Sequence, residues 1–382
     1  MPRFCAGLLY SVSMAAITDA KKFRRALLGW YGKNRRKLPW QGGVGHLTKK
    51  KRDYRIFISE IMLQQTRLDQ ALPYYERWIN SIPSFEALAK APMQKLLKLW
   101  EGLGYYARVR YLKKAARIIV RDYDGRIPSD YSKIRALPGV GDYTAAALAS
   151  FIHHQPYLAI DGNNFRVLSR ILAMPLSFSK QADRKKLCEA SVKLLDPKHP
   201  GEFNRALMRL GALVCLPKNP KCPICPVSFS CKAYRNGRVE GFPLPRQKLG
   251  RPHFQIAAGI VWKEGKILIA QRKPEGLLGG LWEFPGGKRK SNETLAETCR
   301  REIWEETGVT VRVGVLAQKI RHGYSHFSIT LSVFHCFYKR GKPKPLGCRR
   351  LKWVKPAELV KYPFPKANQK ILPLLSTGKL PP

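Results

Sequence analysis

Three sets of residues in this 382-residue sequence are spaced so that they could do chemistry. The stretch CLPKNPKCPICPVSFSC places Cys215, Cys222, Cys225 and Cys231 within 17 residues, with six, two and five residues between them. Four thiolates on so short a loop can hold a tetrahedral zinc ion or an iron–sulfur cluster, and coordination chemistry alone leaves both open. The second set is a pair of carboxylates. Glu60 lies in the apolar helical run YRIFISEIMLQQT, where a glutamate ordinarily marks the polar stripe of an amphipathic helix. Burial among Ile58, Ile61 and Met62 would instead raise its pKa and make it a proton donor near neutrality. Asp161, in AIDGNNFRVLSRIL, stands just before a helix, where aspartate commonly serves as an N-cap. The same place keeps a carboxylate ionised, which is what stabilising a developing cation requires. One carboxyl held protonated and one held anionic is the division of labour that glycoside cleavage uses. The third set is Glu302, Glu305 and Glu306, spaced i, i+3, i+4, so that one helix face presents three carboxylates. That face suits Mg²⁺ bound to a diphosphate, whereas the plain alternative is a solvated acidic helix.

The elements that must hold these residues fall into two textures. From about Lys21 to Tyr234 the pattern is helical almost throughout, punctuated by Pro and Gly. Within it, LPGVGDYTAAALASF (137–151) brackets a tight turn with Gly139 and Gly141 and then opens a helix. Such a turn is a helix–turn–helix corner, and its N–H groups can meet a phosphate oxygen. From Phe254 the texture changes. FQIAAGIVWKEGKILIAQR alternates and is β-branched around a Glu-Gly turn, which predicts a hairpin. Helix-like 293–306, strand-like 310–318 and 327–338, and a closing helix near 365–376 follow. The predicted fold is multidomain: an all-α domain (21–234), a Gly-, Pro- and Arg-rich linker (235–253) and an α+β domain (254–382). Residues 1–20 read as an extension outside the fold, either a weak signal peptide or a mis-assigned start with Met14 as the true first residue.

Seventy Lys and Arg against 26 Asp and Glu leave a formal net charge of +44, spread along the chain rather than gathered in a tail. A polyanionic partner is expected, nucleic acid first, against a general basic bias. An apolar content of 45% excludes wholesale disorder, and no apolar run is long enough to predict a membrane span. Nine cysteines with four clustered suit a metal or cluster site in a reducing compartment better than a disulfide scaffold.

Several motifs then converge on one resemblance. The cysteine spacing resembles the 4Fe–4S loop of the endonuclease III and MutY class of DNA glycosylases, with Lys218 and Lys221 projecting where they could meet DNA phosphates. LPGVG followed by Asp161 resembles the helix-hairpin-helix glycosylase signature, which implies DNA contact at Leu137, Gly139 and Gly141. In the lyase branch a lysine follows the hairpin and forms a Schiff base. Here that position is Tyr143, which points to a monofunctional enzyme rather than an endonuclease III-type glycosylase/lyase. RRKLPWQ, SEIMLQQT, GLGYYAR, LPGVG, DGNN and the cysteine loop occur in the order seen in the MutY family of adenine DNA glycosylases, which remove adenine mispaired with 8-oxoguanine.

By matching position, this resemblance implies that Glu60 protonates the adenine, and that Asp161 stabilises the oxocarbenium sugar with Asn163 assisting. It implies that Gln65 and Tyr105 wedge into the duplex. The segment 287–309 is similar to the Nudix box at Gly287, Glu293, Arg301, Glu302, Glu305, Glu306 and Gly308. HGYSHF (322–327) resembles the family's lesion-reading Phe-Ser-His loop, with Tyr324, Ser325 and His326. Arg205 and Arg209 depart from the family, which usually has Gln or Glu at the first position and an acid at the second. The implied partner is double-stranded DNA carrying 8-oxoguanine:adenine mispairs, met by a cytoplasmic, nucleoid-associated monomer with no membrane contact. Because the box is whole, Mg²⁺-dependent nucleotide pyrophosphohydrolysis at Glu302, Glu305 and Glu306 stands as a second activity. A lesion-binding scaffold whose cluster senses redox state is the non-enzymatic alternative.

Overall fold

The computed structural model describes residues 19–41, 47–245 and 250–375. The expectations for residues 1–18 and for 246–249 of the linker lie outside these. The described residues form two compact units, one drawn from 1–68, 79–89 and 111–248 and the other from 69–78, 90–110 and 249–382. The division does not follow chain order. The helical segments 69–78 and 90–110 belong to the unit that holds the sheet.

The first unit is all helical. Its helices begin where short polar side chains can take up free N–H groups: Asp19 caps Ala20–Asn34, Thr48 caps Lys49–Leu63, Asp130 caps Tyr131–Ala136 and Asp161 caps Gly162–Leu172. One core gathers Phe23 and Leu27 of the first helix, Phe165 and Leu168, and Phe203 and Leu207 of Pro200–Leu213. Each such side chain contributes about 1.5–3 kcal/mol of burial. Tyr54 and Phe57 pack edge-on and tilted against Phe85, with ring centroids 5.0 and 5.6 Å away.

The second unit carries a seven-stranded mixed sheet: β1 (His253–Lys263), β2 (Lys266–Gln271), β3 (Trp282–Glu283), β4 (Gly286–Lys288), β5 (Thr310–Gly323), β6 (Ser328–Arg340) and β7 (Arg350–Val354). The order is β3-β2-β1-β6-β5, with β4 pairing β1 and β7 pairing β2. The predicted hairpin is β1–β2. Its turn residues Glu264 and Gly265 both have positive φ (48° and 68°), as a two-residue primed turn needs. β1 and β6 run parallel. Alternate residues of β1 serve two cores: Ala257 and Val261 face Cys299 and Ile303 of the Leu295–Thr307 helix, while Ala258, Ile260 and Trp262 join Leu359, Phe364 and Ile371. A capping box of Thr294 and Glu297 starts that helix, and Gly308 ends it. The single helix expected near 365–376 is instead two one-turn helices, Lys366–Gln369 and Leu372–Leu375. Pro373, which lacks an N–H and crowds the preceding turn, prevents them from joining.

The segment 90–110 is tied to this unit by polar bonds that no local pattern announces. Gln94 Nε2 donates to the Gly280 carbonyl (3.0 Å), and Trp282 Nε1 donates to Gln94 Oε1 (2.9 Å). The Phe364 amide donates to Glu101 Oε1 at 2.7 Å.

Candidate active site

Glu60 occupies the last third of Lys49–Leu63, where Asp53 and every residue from Ile56 to Met62 are buried. The polar stripe an amphipathic helix would show is absent there, and Glu60 is only 6% exposed. Burial drives its carboxyl up to about 7. The hydrogen bond from Tyr143 and the charge of Arg205 pull against this, while Asp161 pushes the same way as burial. Tyr143, in the first turn of Asp142–Ile152, donates its hydroxyl to Glu60 Oε2 at 3.0 Å. Burial and the nearby charges of Glu60 and Asp161 keep that phenol protonated. Glu60, Tyr143 and Asp161 are therefore close enough in the first unit for their charges to act on one another.

Asp161 accepts from the Asn164 amide (2.6 Å) and from Asn163 Nδ2 (3.4 Å). Burial raises its pKa, and the amides of Asn164 and Asn163 and the charge of Arg166 only partly offset this. The expected N-cap is present, and desolvation outweighs the helix N-terminus in setting the direction of the Asp161 shift. Asn163 is itself held, since Arg166 Nη2 donates to its Oδ1 at 2.9 Å.

The hairpin is formed by Tyr131–Ala136 and Asp142–Ile152. Gly139 has φ +82°, and a Cβ there would lie 2.8 Å from Cβ of Tyr111, so two constraints require glycine. Gln64 Nε2, at the C-cap of the Lys49–Leu63 helix, braces the turn by donating to the Gly139 carbonyl (3.3 Å) and Thr144 Oγ1 (3.0 Å). Gly141 caps the second helix with no side chain over its first N–H groups. Leu137, expected among the DNA contacts, is 3% exposed. Its side chain is core, and only its backbone can reach a ligand. Gln65 is exposed just past the Lys49–Leu63 helix, with φ +56°, a strained conformation for a non-glycine residue.

The four clustered cysteines line one cavity with Val167, Ile171, Leu210 and Val214. Burial pushes Cys225 up to about 12 and raises Cys222 and Cys231 as well, so four bare thiolates could not coexist there. A multivalent cationic group is what would keep such a set deprotonated. Among the described residues no three His, Cys, Asp or Glu are gathered to hold a single metal ion. Lys218 and Lys221 are exposed on the loop, as expected.

In the second unit, Tyr324 sits at the β5–β6 turn, its amide bonded to the Phe327 carbonyl (2.8 Å) and its ring stacked on Phe327 (4.8 Å). Ser325 and His326 are exposed beside it. Tyr105 Oη meets Ser325 Oγ at 2.5 Å. In the Glu-rich helix, Arg301 binds Glu293 (2.5 Å), Glu302 (2.8 Å) and Glu305 (3.0 Å). Glu306 accepts from the Gly286 amide (3.2 Å) and is pushed up to about 8 by burial.

Three arginines that shape these sites went unrecognised or were only half understood in the sequence. Arg166 joins the Asp161 helix to the cysteine loop through the Cys215 carbonyl (2.9 Å). Arg170, 2% exposed, donates to the Leu216 and Pro217 carbonyls (2.6 and 3.0 Å) and to Cys215 Sγ (3.4 Å). Their i, i+4 spacing on an otherwise apolar helix was the available signal. Arg205, noted only as a departure, faces Glu60 and stacks on Phe151 at 4.1 Å. Arg209 instead donates to the Asn34 carbonyl at 2.9 Å.

Known protein families match two separate stretches of the chain. Residues 58–194 match the HhH-GPD superfamily of base excision DNA repair proteins, and residues 257–374 match the NUDIX domain. The adenine DNA glycosylase of Rattus norvegicus is 33% identical over 391 residues, covering 88% of this chain and 75% of the relative. That of Buchnera aphidicola subsp. Baizongia pistaciae is 39% identical over 314 residues, covering 81% and 84%. A thermostable thymine-DNA glycosylase structure superposes with a TM-score of 0.50 at 30% identity, over 57% of this chain and 97% of that one.

Proposed function

The chain belongs to the adenine DNA glycosylase family, and from that premise we propose that it removes adenine lying opposite 8-oxoguanine in duplex DNA. It is a hydrolase of base excision repair. The observation that carries the reading is Glu60 raised to about 7, with Asp161 close enough for its charge to add to that rise.

Adenine must first leave the stack, at a cost of a few kcal/mol. Protonated Glu60 then gives its proton to a ring nitrogen of the base. Tyr143 occupies Oε2, which leaves Oε1 free to carry that proton. The electron pair of the glycosidic bond departs with the protonated adenine. Asp161 stabilises the electron-poor sugar, through a transient ester at the anomeric carbon that water later opens, and Asn163 steadies its carboxylate. A lyase needs an amine at the hairpin, and Tyr143 supplies none; borohydride trapping of a protein–DNA adduct would revive that alternative.

Gly139, Gly141, Lys218 and Lys221 serve as phosphate contacts and Gln65 and Tyr105 as wedges. The strained backbones of both wedge residues (φ +56° and +49°) support this reading. Cys215, Cys222, Cys225 and Cys231 hold a 4Fe–4S cluster, a reading supported by the family to which the chain belongs and by the one cavity these four side chains line. Such a group supplies bracing and electron exchange; Arg166 and Arg170 orient the loop that would hold it. Iron and zinc analysis of the purified protein decides between them.

Tyr324, Ser325 and His326 read the lesion. The protein acts as a monomer on DNA in the cytoplasm, and no described helix is long and apolar enough to cross a membrane. The decisive assay is single-turnover base release from 8-oxoguanine:A, G:A and T:A duplexes, and equal rates on all three would overturn the lesion preference. Glu306, raised and facing the Gly286 amide, favours one further reading, Mg²⁺ binding at Glu302, Glu305 and Glu306. Mg²⁺-dependent pyrophosphate release from an oxidised purine triphosphate tests it.

A further inference from the structure

Tyr105 stands on a knot of left-handed backbone in the second unit. Gly102, Gly104 and Tyr105 have φ of +93°, +81° and +49°. A side chain on Gly102 would meet Tyr74 Oη at 2.5 Å, so that turn admits only glycine. Tyr105 itself carries the steric penalty of a non-glycine residue there; the residue is 40% exposed, and its Oη is bonded to Ser325 Oγ at 2.5 Å.

Beyond that bond, its backbone and the face of its ring are held by Arg108. This arginine is 7% exposed, and its amide donates to the Tyr105 carbonyl at 2.9 Å. Its Nη2 donates to the Gly104 carbonyl at 3.1 Å, an oxygen that also accepts from Trp100 Nε1 at 2.9 Å. The guanidinium lies 5.1 Å from the Trp100 ring centroid and 5.4 Å from that of Tyr105. Burial lowers its pKa only to about 10, so it stays charged at neutrality. A cation set between two aromatic faces attracts both ring quadrupoles, and a planar guanidinium can do so while bonding a carbonyl at its edge.

We propose that Arg108 is a positioning residue that fixes the Tyr105 ring in the orientation needed to wedge beside the lesion. The proposal rests on the reading of Tyr105 as a wedge. A ring already ordered in the free protein loses less freedom on binding, so the effect belongs to affinity rather than to the chemical step. Lysine cannot substitute, since a point charge has no flat face to lie along the ring.

The test uses the full chain with Tyr105→Ala, Arg108→Lys, Arg108→Met and both Arg108 changes in the Tyr105→Ala background. Affinity and single-turnover rate are measured on 8-oxoguanine:A and T:A duplexes, beside melting temperature. Arg108→Lys and Arg108→Met are each expected to weaken 8-oxoguanine:A binding about tenfold, the loss of one stacked contact. The rate at saturating protein should stay within about threefold, as an affinity effect requires. In the Tyr105→Ala background neither change should weaken binding further, whereas melting temperature should fall alike in both backgrounds. Wild-type binding by Arg108→Lys while Tyr105→Ala is impaired overturns the positioning role alone. So does an equal loss with and without Tyr105. Wild-type binding by Tyr105→Ala overturns the wedge reading and this proposal together.

Discussion

Two groups of glutamates in this chain meet opposite fates. Glu60 is buried with a hydroxyl at one oxygen and only the more distant charge of Arg205 to oppose desolvation, and its carboxyl rises to about 7. Glu293, in the Nudix-like box, lies 2.5 Å from the Arg301 guanidinium and falls to about 2. Arg301 extends the same grip to Glu302 and Glu305. A hydrated carboxylate in contact with a guanidinium becomes a fixed strut, while one deprived of water becomes an acid with a proton to give. Desolvation sets their roles apart: it dominates at Glu60, while the bond from Arg301 dominates at Glu293.

Removing the acid itself is the severest way to break the comparison. Glu60→Gln should lower single-turnover base release about 10²–10⁴-fold, the usual worth of general acid catalysis. In the wild type the rate should fall as pH rises through about 7, where Glu60 loses its proton. A flat profile across neutrality would remove Glu60 from the proton-donor role. Asp161→Asn comes next, at about 10²–10³-fold, because an amide keeps the cap but not the charge that faces the sugar. Near-normal turnover by this variant would mean that the charge is dispensable.

Stability sharpens the contrast. An acid of ordinary pKa 4.5 when unfolded and about 7 when folded leaves the folded chain holding a proton that the unfolded chain releases between those values. Stability therefore falls as pH rises from 4.5 to 7. Glu60→Gln should match the wild type below pH 4.5 and exceed it by about 3 kcal/mol above pH 7. Equal stability at both ends would show that Glu60 is hydrated after all. On the other side of the comparison, Arg301→Ala should cost about 1–2 kcal/mol, as expected for a half-buried ion network. It should leave base release from G:A duplexes unchanged, and a large loss of that activity would tie the box to catalysis. The smallest effect is expected of Tyr143→Phe. Its hydrogen bond lowers the Glu60 pKa, so its loss should move the alkaline limb of the rate profile upward. A downward shift would reverse the assigned donor and acceptor.

Much of the candidate site was legible because its motifs are local. Gly139 and Gly141 announced a tight turn, Asp161 announced a cap, and the Glu-Gly pair announced the β1–β2 turn, each through backbone geometry that a few residues decide. Glu60 was legible as a glutamate in an apolar run, but its lack of a polar stripe depends on what covers the helix. Leu137 shows the limit of motif reading, since its place in the turn is local but the burial of its side chain is not. Arg166 and Arg170 gave only the signal of their spacing, and Arg108 gave none, because most of their partners are carbonyls and rings, which any sequence supplies everywhere.

By itself the sequence determined the helical and α+β textures, the capped and turned segments, the clustered thiols and the order of motifs that identifies the family. These depend on interactions spanning a few residues, whose energies are set by residue type and spacing. Only the tertiary structure decided that the Asp161 carboxyl is raised rather than lowered, that Tyr143 holds Glu60, and that Arg301 claims three of the box glutamates. It also decided that residues 69–78 and 90–110 pack with the sheet. Desolvation and long-range hydrogen bonds control those outcomes, and both depend on which distant segments exclude water from a group, a quantity that no stretch of chain carries alone.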